Sequence, residues 1–322
     1  MKALRKIKPI ILAKINSLLF KKRYTLISLD KIQLFQNYYN AINEKKKVIN
    51  NEVISIVFSK DRALQLDAFL GSYIENISNI STMIVLYRAS SQVHKESYLK
   101  LQTEYKTHPI VFIEETIFRT QLIEIIENRS EARILFYVDD VIFTHKFDYN
   151  NVLKINPYTQ ILTLSRGLDL TYSSVLLRQL ELPTFTAIEN KLLEFSWDEI
   201  KEYTDWTYPI GVTGYMFATE EILTMFKLIN FKAPNSLEIA MQHFSKMFKS
   251  RKGVCGEKIV AACIPANLTQ EEAHNPVSGE YSIEELLCKW DNGLQIDYKE
   301  FYNKPFSETQ SLQYKFIPRT CE

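Results

Sequence analysis

The segment Ile134-Leu135-Phe136-Tyr137-Val138-Asp139-Asp140-Val141-Ile142-Phe143 sets two adjacent carboxylates after five apolar or aromatic residues and before three more. A run this apolar, rich in β-branched and aromatic side chains, is the pattern of a strand covered on both faces. Ionised carboxylates inside such a strand would be costly without partners, so Asp139 and Asp140 are expected where the strand ends. In open α/β sheets the carboxyl ends of the strands are where ligands bind. Two hard oxygen ligands there suit Mg²⁺ or Mn²⁺, the ions that accompany diphosphates. The same pair can also be a turn and a helix cap, and the local pattern leaves both readings open.

The chain before this point narrows the fold. Residues 53–58 read as a buried strand, and Ser59-Lys60-Asp61-Arg62 as a polar turn. Residues 63–77 read as a helix with Leu64, Phe69, Leu70 and Tyr73 inward. A second strand at Met83–Arg88, a helix over 91–106, a third strand at 110–113 and a helix over 117–129 lead to the Asp-Asp strand. Strand and helix alternate four times without a hairpin signal, which predicts an α/β fold with a mostly parallel, doubly wound central sheet flanked by helices. The first turn then puts Ser59, Asp61 and Arg62 at a strand's carboxyl end, in reach of a nucleotide base or ribose; Asp61 alone also reads as a helix cap. Arg88, closing the second strand, joins these donor-side candidates.

Composition removes several function classes. The chain of 322 residues has only eight glycines, and neither a Walker loop nor a GxGxxG turn is present. That argues against P-loop NTPases and dinucleotide-dependent dehydrogenases. The net charge of +1 hides an asymmetry: residues 1–24 carry eight Lys/Arg and no acid, leaving 31 basic and 38 acidic residues, net −7, in the rest. A body of that charge is a poor nucleic-acid binder. Residues 1–24 place Leu4, Ile7, Ile11, Ile15, Leu18 and Leu19 at helical spacing. Lys14 interrupts the apolar run, which is too short to span a bilayer, and no cleavage site of a secretory signal is present after it. A basic amphipathic helix at an anionic membrane surface is expected, with an ordinary packed helix as the alternative. Cys255, Cys263, Cys288 and Cys321 form no CxxC pair and read as reduced thiols of a cytoplasmic protein.

Residues 54–77, ISIVFSKDRALQLDAFLGSYIENI, and the later FYVDDVIF segment resemble the opening strand and the DxD-type motif of GT-A glycosyltransferases, particularly the inverting family 2 type. The two motifs lie 78 residues apart, from Asp61 to Asp139, and the resemblance covers roughly residues 50–250. It implies a GT-A fold with a Rossmann-like sheet, a nucleotide-binding half at about 50–145 and an acceptor half at about 146–265. Residues 1–24 would be a separate amphipathic helix and residues 266–322 a helical C-terminal extension. It implies a nucleotide-sugar donor, with a UDP-sugar first among the candidates, and a glycan or lipid-linked acceptor. Asp61 and Arg62 would lie near the base, Asp139 near the ribose or metal, and Asp140 on a Mg²⁺ or Mn²⁺ bridging the diphosphate.

Position adds further candidates. Arg166 ends the strand-like segment 162–167 and is placed near the diphosphate. The segment 206–217 gathers Trp206, Tyr208 and Tyr215 with Gly211 and Gly214, and suggests a sugar platform with Gly214 at the donor. Glu238 falls where the resembling family carries its acidic pair, although Leu237 replaces the first acid; it is the candidate base, with Asp198 second. In the first turn of a helix Glu238 also suits the helix dipole alone. His274 is a candidate late metal ligand. A helix is expected over 282–302, then an irregular tail. The rival readings are a nucleotidyltransferase, which normally has a glycine-rich basic first turn, and a catalytically silent nucleotide-binding module. The expected location is the cytoplasm, peripheral to the inner face of the cell membrane, with a role in surface polysaccharide synthesis.

Overall fold

The computed structural model describes residues 28–43, 50, 52–173, 176–267, 281–305 and 314–319. The expected membrane-surface helix over 1–24, and His274, lie outside the described residues. The first of two units, residues 1–45, contains helix α1 (Leu29–Asn43). The second unit, residues 46–322, carries the sheets.

The alternation read from the sequence is realised closely. Strand β1 (Val53–Lys60), helix α2 (Ala63–Asn76), β2 (Met83–Arg88), α3 (Gln92–Glu104), β3 (Ile110–Glu114), α4 (Phe118–Glu127) and β4 (Arg133–Val138) come one after another. With β9 (Tyr215–Ala218) they form a five-stranded sheet in the order β9-β4-β1-β2-β3. All neighbours are parallel except β9, which runs antiparallel to β4. The fold is thus mixed α/β around a mostly parallel sheet. Ile54, Ile56 and Val57 on β1 and Ile134, Leu135, Phe136 and Tyr137 on β4 are fully buried, as expected for strands covered on both faces. Phe58 stacks on Phe136 at 5.9 Å, and Phe136 meets Phe226 of helix α5 (Thr219–Leu228) at 5.8 Å. These aromatic contacts tie β1 and β4 to one side of the core.

The strand ends at the two aspartates, as the cost of burying their charges predicts. Strand β4 stops at Val138, and β5 (Val141–Phe143) leaves the sheet to pair antiparallel with β11 (Ala261–Cys263). The turn is held at both residues: Asp139 N–H donates to the Phe58 carbonyl at 3.1 Å, and Ile264 N–H donates to the Asp140 carbonyl at 2.8 Å. A smaller sheet, β7-β8-β10-β6, comprises Thr186–Ile188, Leu192–Ser196, Lys252–Gly256 and Gln160–Leu162. Helix α6 (Pro234–Met241), begun by proline at its first turn, carries Glu238.

The C-terminal region departs from expectation. Helix α7 (Ile283–Asp291) starts at a capping box, where Ser282 Oγ accepts from Glu285 N at 3.0 Å and Glu285 accepts from Ser282 N at 2.7 Å. The helix ends well short of residue 302, because Asn292 caps it and Gly293 takes φ +72°. Beyond Gly293 the chain forms a strand, β12 (Leu294–Ile296), paired with β13 (Phe316–Pro318) from the tail expected to be irregular. Arg319 then stacks on Trp290 at 3.6 Å and faces Asp67 of α2 at 3.6 Å, which ties the end of the described chain to that helix. Among the described residues no helix is long and apolar enough to cross a membrane.

Candidate active site

The carboxyl ends of β1 and β4 lie side by side, since Phe58 pairs with Val138. Ser59, Asp61 and Arg62 of the first turn therefore meet Asp139 and Asp140 of the second. Arg62 Nη1 donates to Asp139 Oδ1 at 2.9 Å and to Asp140 Oδ2 at 3.2 Å, while Nη2 donates to the Asn267 carbonyl. Ser59 Oγ donates to Asp139 Oδ2 at 2.8 Å. Its own lone pair is met by Tyr98 OH at 2.7 Å, and that tyrosine oxygen accepts from Arg62 N at 3.1 Å. The direction of the relay is thereby settled: Arg62 N to Tyr98, Tyr98 to Ser59, Ser59 to Asp139. Burial pushes the Asp139 carboxyl above its usual range, against the pull of Arg62 and with the like charge of Asp140 adding to it. Burial also opposes the Arg62 charge, but the two carboxylates outweigh it and hold the guanidinium firmly protonated.

Asp140 is the outer member. Its side chain is 12% exposed, against 4% for Asp139. Its Oδ1 accepts from the Cys263 thiol at 3.3 Å, a weak donor brought in by the β5–β11 pairing. Burial, then Asp140, push that thiol well up, so it stays protonated. Tyr314, from the C-terminal tail, donates to the Ile264 carbonyl beside them. Cys255, Cys263 and Cys288 are free thiols, as expected.

Asp61 has a positive φ of 55°, a conformation Asp tolerates better than most residues, and its Oδ1 accepts from Ser90 N at 2.7 Å. Its carboxylate thus joins the ends of β1 and β2 and lines a shallow recess with Gln65, His94 and, from α7, Leu286, Leu287 and Trp290. Arg88 points outward, more than half exposed, and pairs with Glu115 at 3.4 Å.

A second group of candidates faces this one. Glu238 is half-buried; burial raises its pKa above the usual glutamate range, against the opposing influence of Tyr208, the Val212 amide and Arg166. The Glu238 charge also acts on Cys263, the thiol bonded to Asp140, as the smallest of several influences on it. Arg166 is anchored by Nε donating to the Asp205 carbonyl at 3.2 Å and Nη1 to Ser165 Oγ at 3.2 Å, and lies 5.8 Å from the Tyr215 ring. Asp198 stands apart: it is exposed and its described ion pair is with Lys249 at 3.8 Å.

The aromatic platform read from residues 206–217 is displaced. Trp206 is buried, with Nε1 donating to the Leu170 carbonyl at 3.1 Å, so its face is closed. The exposed aromatic ring near Glu238 and Arg166 is Tyr203, 68% exposed and packed edge-on against Tyr208. The glycines each have a packing or backbone reason within the chain. Gly211 leaves room for the Tyr215 ring, which a Cβ would meet at 2.8 Å. Gly214 takes φ +72° while its N–H donates to Phe136 at 2.7 Å and its carbonyl accepts from Leu164 N at 2.8 Å.

Among the described residues no three His, Cys, Asp or Glu side chains gather to hold a metal. Asp139 is less open to a metal than Asp140, because each of its oxygens takes a strong bond, from Arg62 or Ser59, and its side chain is 4% exposed. Asp140 fits the role of a single protein ligand: its oxygens have only one bond from Arg62 and one weak bond from a thiol. Mg²⁺ bound with a nucleotide commonly needs no more than one or two carboxylates, the phosphates and water supplying the rest. Tyr98, Cys263, Asn267 and Tyr314 carried no signal in the sequence, since each reaches the site only through the packing of a distant element.

No protein-family model matches the chain. It is similar to the bifunctional glycosyltransferase pgtA of Dictyostelium discoideum, 25% identical over 195 residues. The match takes in 55% of this chain and a quarter of that protein's length. Solved structures with partial likeness include a nucleotidyl transferase, Mth528, from Methanothermobacter thermautotroptrophicus, with 8% identity, TM-score 0.37 and coverage of 65% of this chain and 89% of that one. S. aureus TarS has 11% identity and TM-score 0.41, over 65% of this chain and 36% of that one. Mannosyltransferase PcManGT from Pyrobaculum calidifontis, in complex with GDP-Man and Mn²⁺, has 15% identity and TM-score 0.29, over 40% and 42%. TM-scores of 0.29 to 0.41 carry no weight for fold or function.

Proposed function

We propose that the chain is a GT-A-type glycosyltransferase that moves a sugar from a nucleotide-sugar donor to an acceptor hydroxyl with inversion. The observation that carries this reading is that Asp140, at the end of β4, and Glu238, on α6, both act on the Cys263 thiol, Asp140 by accepting its hydrogen bond and Glu238 through its charge. The similarity to pgtA over 195 residues supports it. The base of the donor is assigned to the neighbourhood of Asp61 and Arg62 at the end of β1, a uridine nucleotide being the first to test. The diphosphate is assigned to the space between Asp140 and Arg166.

In this reading Glu238 takes the proton from the acceptor hydroxyl as its oxygen bonds to the anomeric carbon. The bond from that carbon to the diphosphate breaks in the same displacement, so the anomeric configuration inverts and the proton ends on Glu238. The raised pKa suits a base that must take a proton from an alcohol while remaining mostly ionised above that pKa. Arg166 holds positive charge next to the departing group. Asp140 would hold Mg²⁺ or Mn²⁺, which when bound neutralises charge on the diphosphate. Tyr203, exposed at the Glu238 side, offers a face for a sugar ring of the acceptor. The basic, amphipathic sequence of residues 1–24 supports a glycan or lipid-linked acceptor of a surface polysaccharide, met at the cytoplasmic face of a membrane.

The experiment is a melting-temperature screen of nucleoside diphosphates and nucleotide sugars, with and without Mn²⁺, on the wild type and Asp140→Ala. A ligand that binds the folded state raises the melting temperature by mass action. A metal-dependent rise with one nucleotide, absent in the variant, is the expected result. No rise with any nucleotide sinks the reading.

A further inference from the structure

A buried polar network at the ends of β1 and β4 places a guanidinium where a metal is expected. Arg62 spans both carboxylates with one nitrogen, at 2.9 and 3.2 Å, and its side chain is only 8% exposed. Asp139 is buried and Asp140 beside it is mostly covered, so without a cation the pair would be destabilising or would have to take up a proton. Here the chain supplies the cation. Arg62 is nevertheless incompletely used. Its Nε has no acceptor among the described residues; at the neighbouring Gln65–Asn267 pair, Asn267 Nδ2 and Gln65 Oε1 likewise have no partner among them, although all three atoms are buried. Beside an acidic pair, the unused guanidinium nitrogen leaves Arg62 a donor for a further acceptor oxygen.

We propose that Arg62 acts as an internal cation that occupies Asp139 and Asp140 until a nucleoside diphosphate arrives, so that a divalent metal binds poorly alone and well with the diphosphate. The inference rests on Asp140 being the metal ligand of the proposed function. A metal approaching by itself must take Asp140 from Arg62 and add two charges to a site already holding one cation. A diphosphate changes both terms. Its oxygens ligate the metal, and they give Arg62 an acceptor to replace the one it yields. Asp139, which keeps its Ser59 bond and the nearer Arg62 contact, stays with the guanidinium throughout. Arg62 is therefore a positioning residue that couples the two ligands, and by linkage each must raise the affinity for the other.

The test is Mn²⁺ binding, read by the electron-spin-resonance signal of the free ion and by melting temperature, on the wild type, Arg62→Met and Arg62→Lys, without nucleotide. Removing the internal cation should leave the carboxylate pair open, so Mn²⁺ alone binds Arg62→Met about tenfold or more tighter than the wild type and raises its melting temperature. Lysine keeps one charge but cannot reach both carboxylates with a fork of donors, so Arg62→Lys should fall between the two. Equal Mn²⁺ affinity in all three overturns the inference. Should Arg62→Met not fold, the wild type decides: Mn²⁺ bound as tightly without as with uridine diphosphate overturns it, after correction for the metal–nucleotide complex in solution, and weaker binding without diphosphate supports it. Failure of every nucleotide to bind would instead remove the glycosyltransferase reading, while the Mn²⁺ comparison of the three proteins would still stand or fall by itself.

Discussion

The two sides of the site are built differently. On the donor side, Ser59, Arg62, Tyr98 and Asp139 are buried and interlocked, and every bond among them joins a strand end or a neighbouring helix. On the acceptor side, Glu238 sits on a helix of 8 residues, Arg166 is anchored mainly to loop carbonyls, and Tyr203 is open to solvent. The contrast suits the tasks proposed for them. Diphosphate chemistry needs fixed charges that do not rearrange during reaction, and a parallel sheet provides them. An acceptor has to enter and leave, and loops over a rigid scaffold allow that.

The largest effect should come from the acceptor side and fall on rate alone. Glu238→Gln is expected to lower kcat by about a hundred- to ten-thousandfold while the nucleotide-dependent rise in melting temperature persists. Asp198→Asn, by contrast, should leave kcat within a few-fold, because Asp198 faces Lys249 and solvent. A collapse of rate in Asp198→Asn with a normal Glu238→Gln would exchange their roles.

The donor side should respond in stability instead. Asp139→Ala leaves Arg62 buried with half its ion pairing, and breaking such a pair is expected to cost about 3 kcal/mol, seen as a lower denaturation midpoint. A loss near zero would mean the network is less buried than its 4% side-chain exposure indicates.

The pH dependence separates the sides again. A base works ionised, so activity should fall as pH drops through the Glu238 pKa. Because burial raises that pKa, the acidic limb of kcat/KM should lie above the ordinary glutamate value of about 4.3. Loss of the limb in Glu238→Gln would confirm its owner, and an unmoved limb would assign it elsewhere.

Two smaller effects test the frame. Gly214→Ala should cost about 1–2 kcal/mol, since its φ of +72° penalises any Cβ while the space around it is ordinary. Arg88→Ala breaks an exposed pair and should change stability by less than about 1 kcal/mol. A large loss of nucleotide binding in Arg88→Ala would move it from the rim into the donor site.

How far these features could be read in advance depended on how local they are. The strand over Met83–Arg88 was legible to the residue, and the neighbouring strands and helices to within a few, because burial on both faces leaves a continuous apolar run. The helix expected over 282–302 failed at Asn292-Gly293, where two polar, flexible residues outweigh the amphipathic pattern on either side. The platform over Trp206 failed for a different reason. An indole is apolar enough to be worth burying, and exposure is not written in residue type.

By itself the sequence determined that strand and helix would alternate and that Asp139 and Asp140 would close a buried strand, because backbone period and the cost of buried charge act on neighbouring residues. Only the tertiary structure decided that Arg62, 77 residues away, would neutralise that pair. It alone brought Cys263 to Asp140 through the β5–β11 pairing and carried Glu238 near enough for its charge to act on that thiol. Those meetings depend on strand order and register, and a side chain's type records what it can bond, not which distant element will be laid beside it.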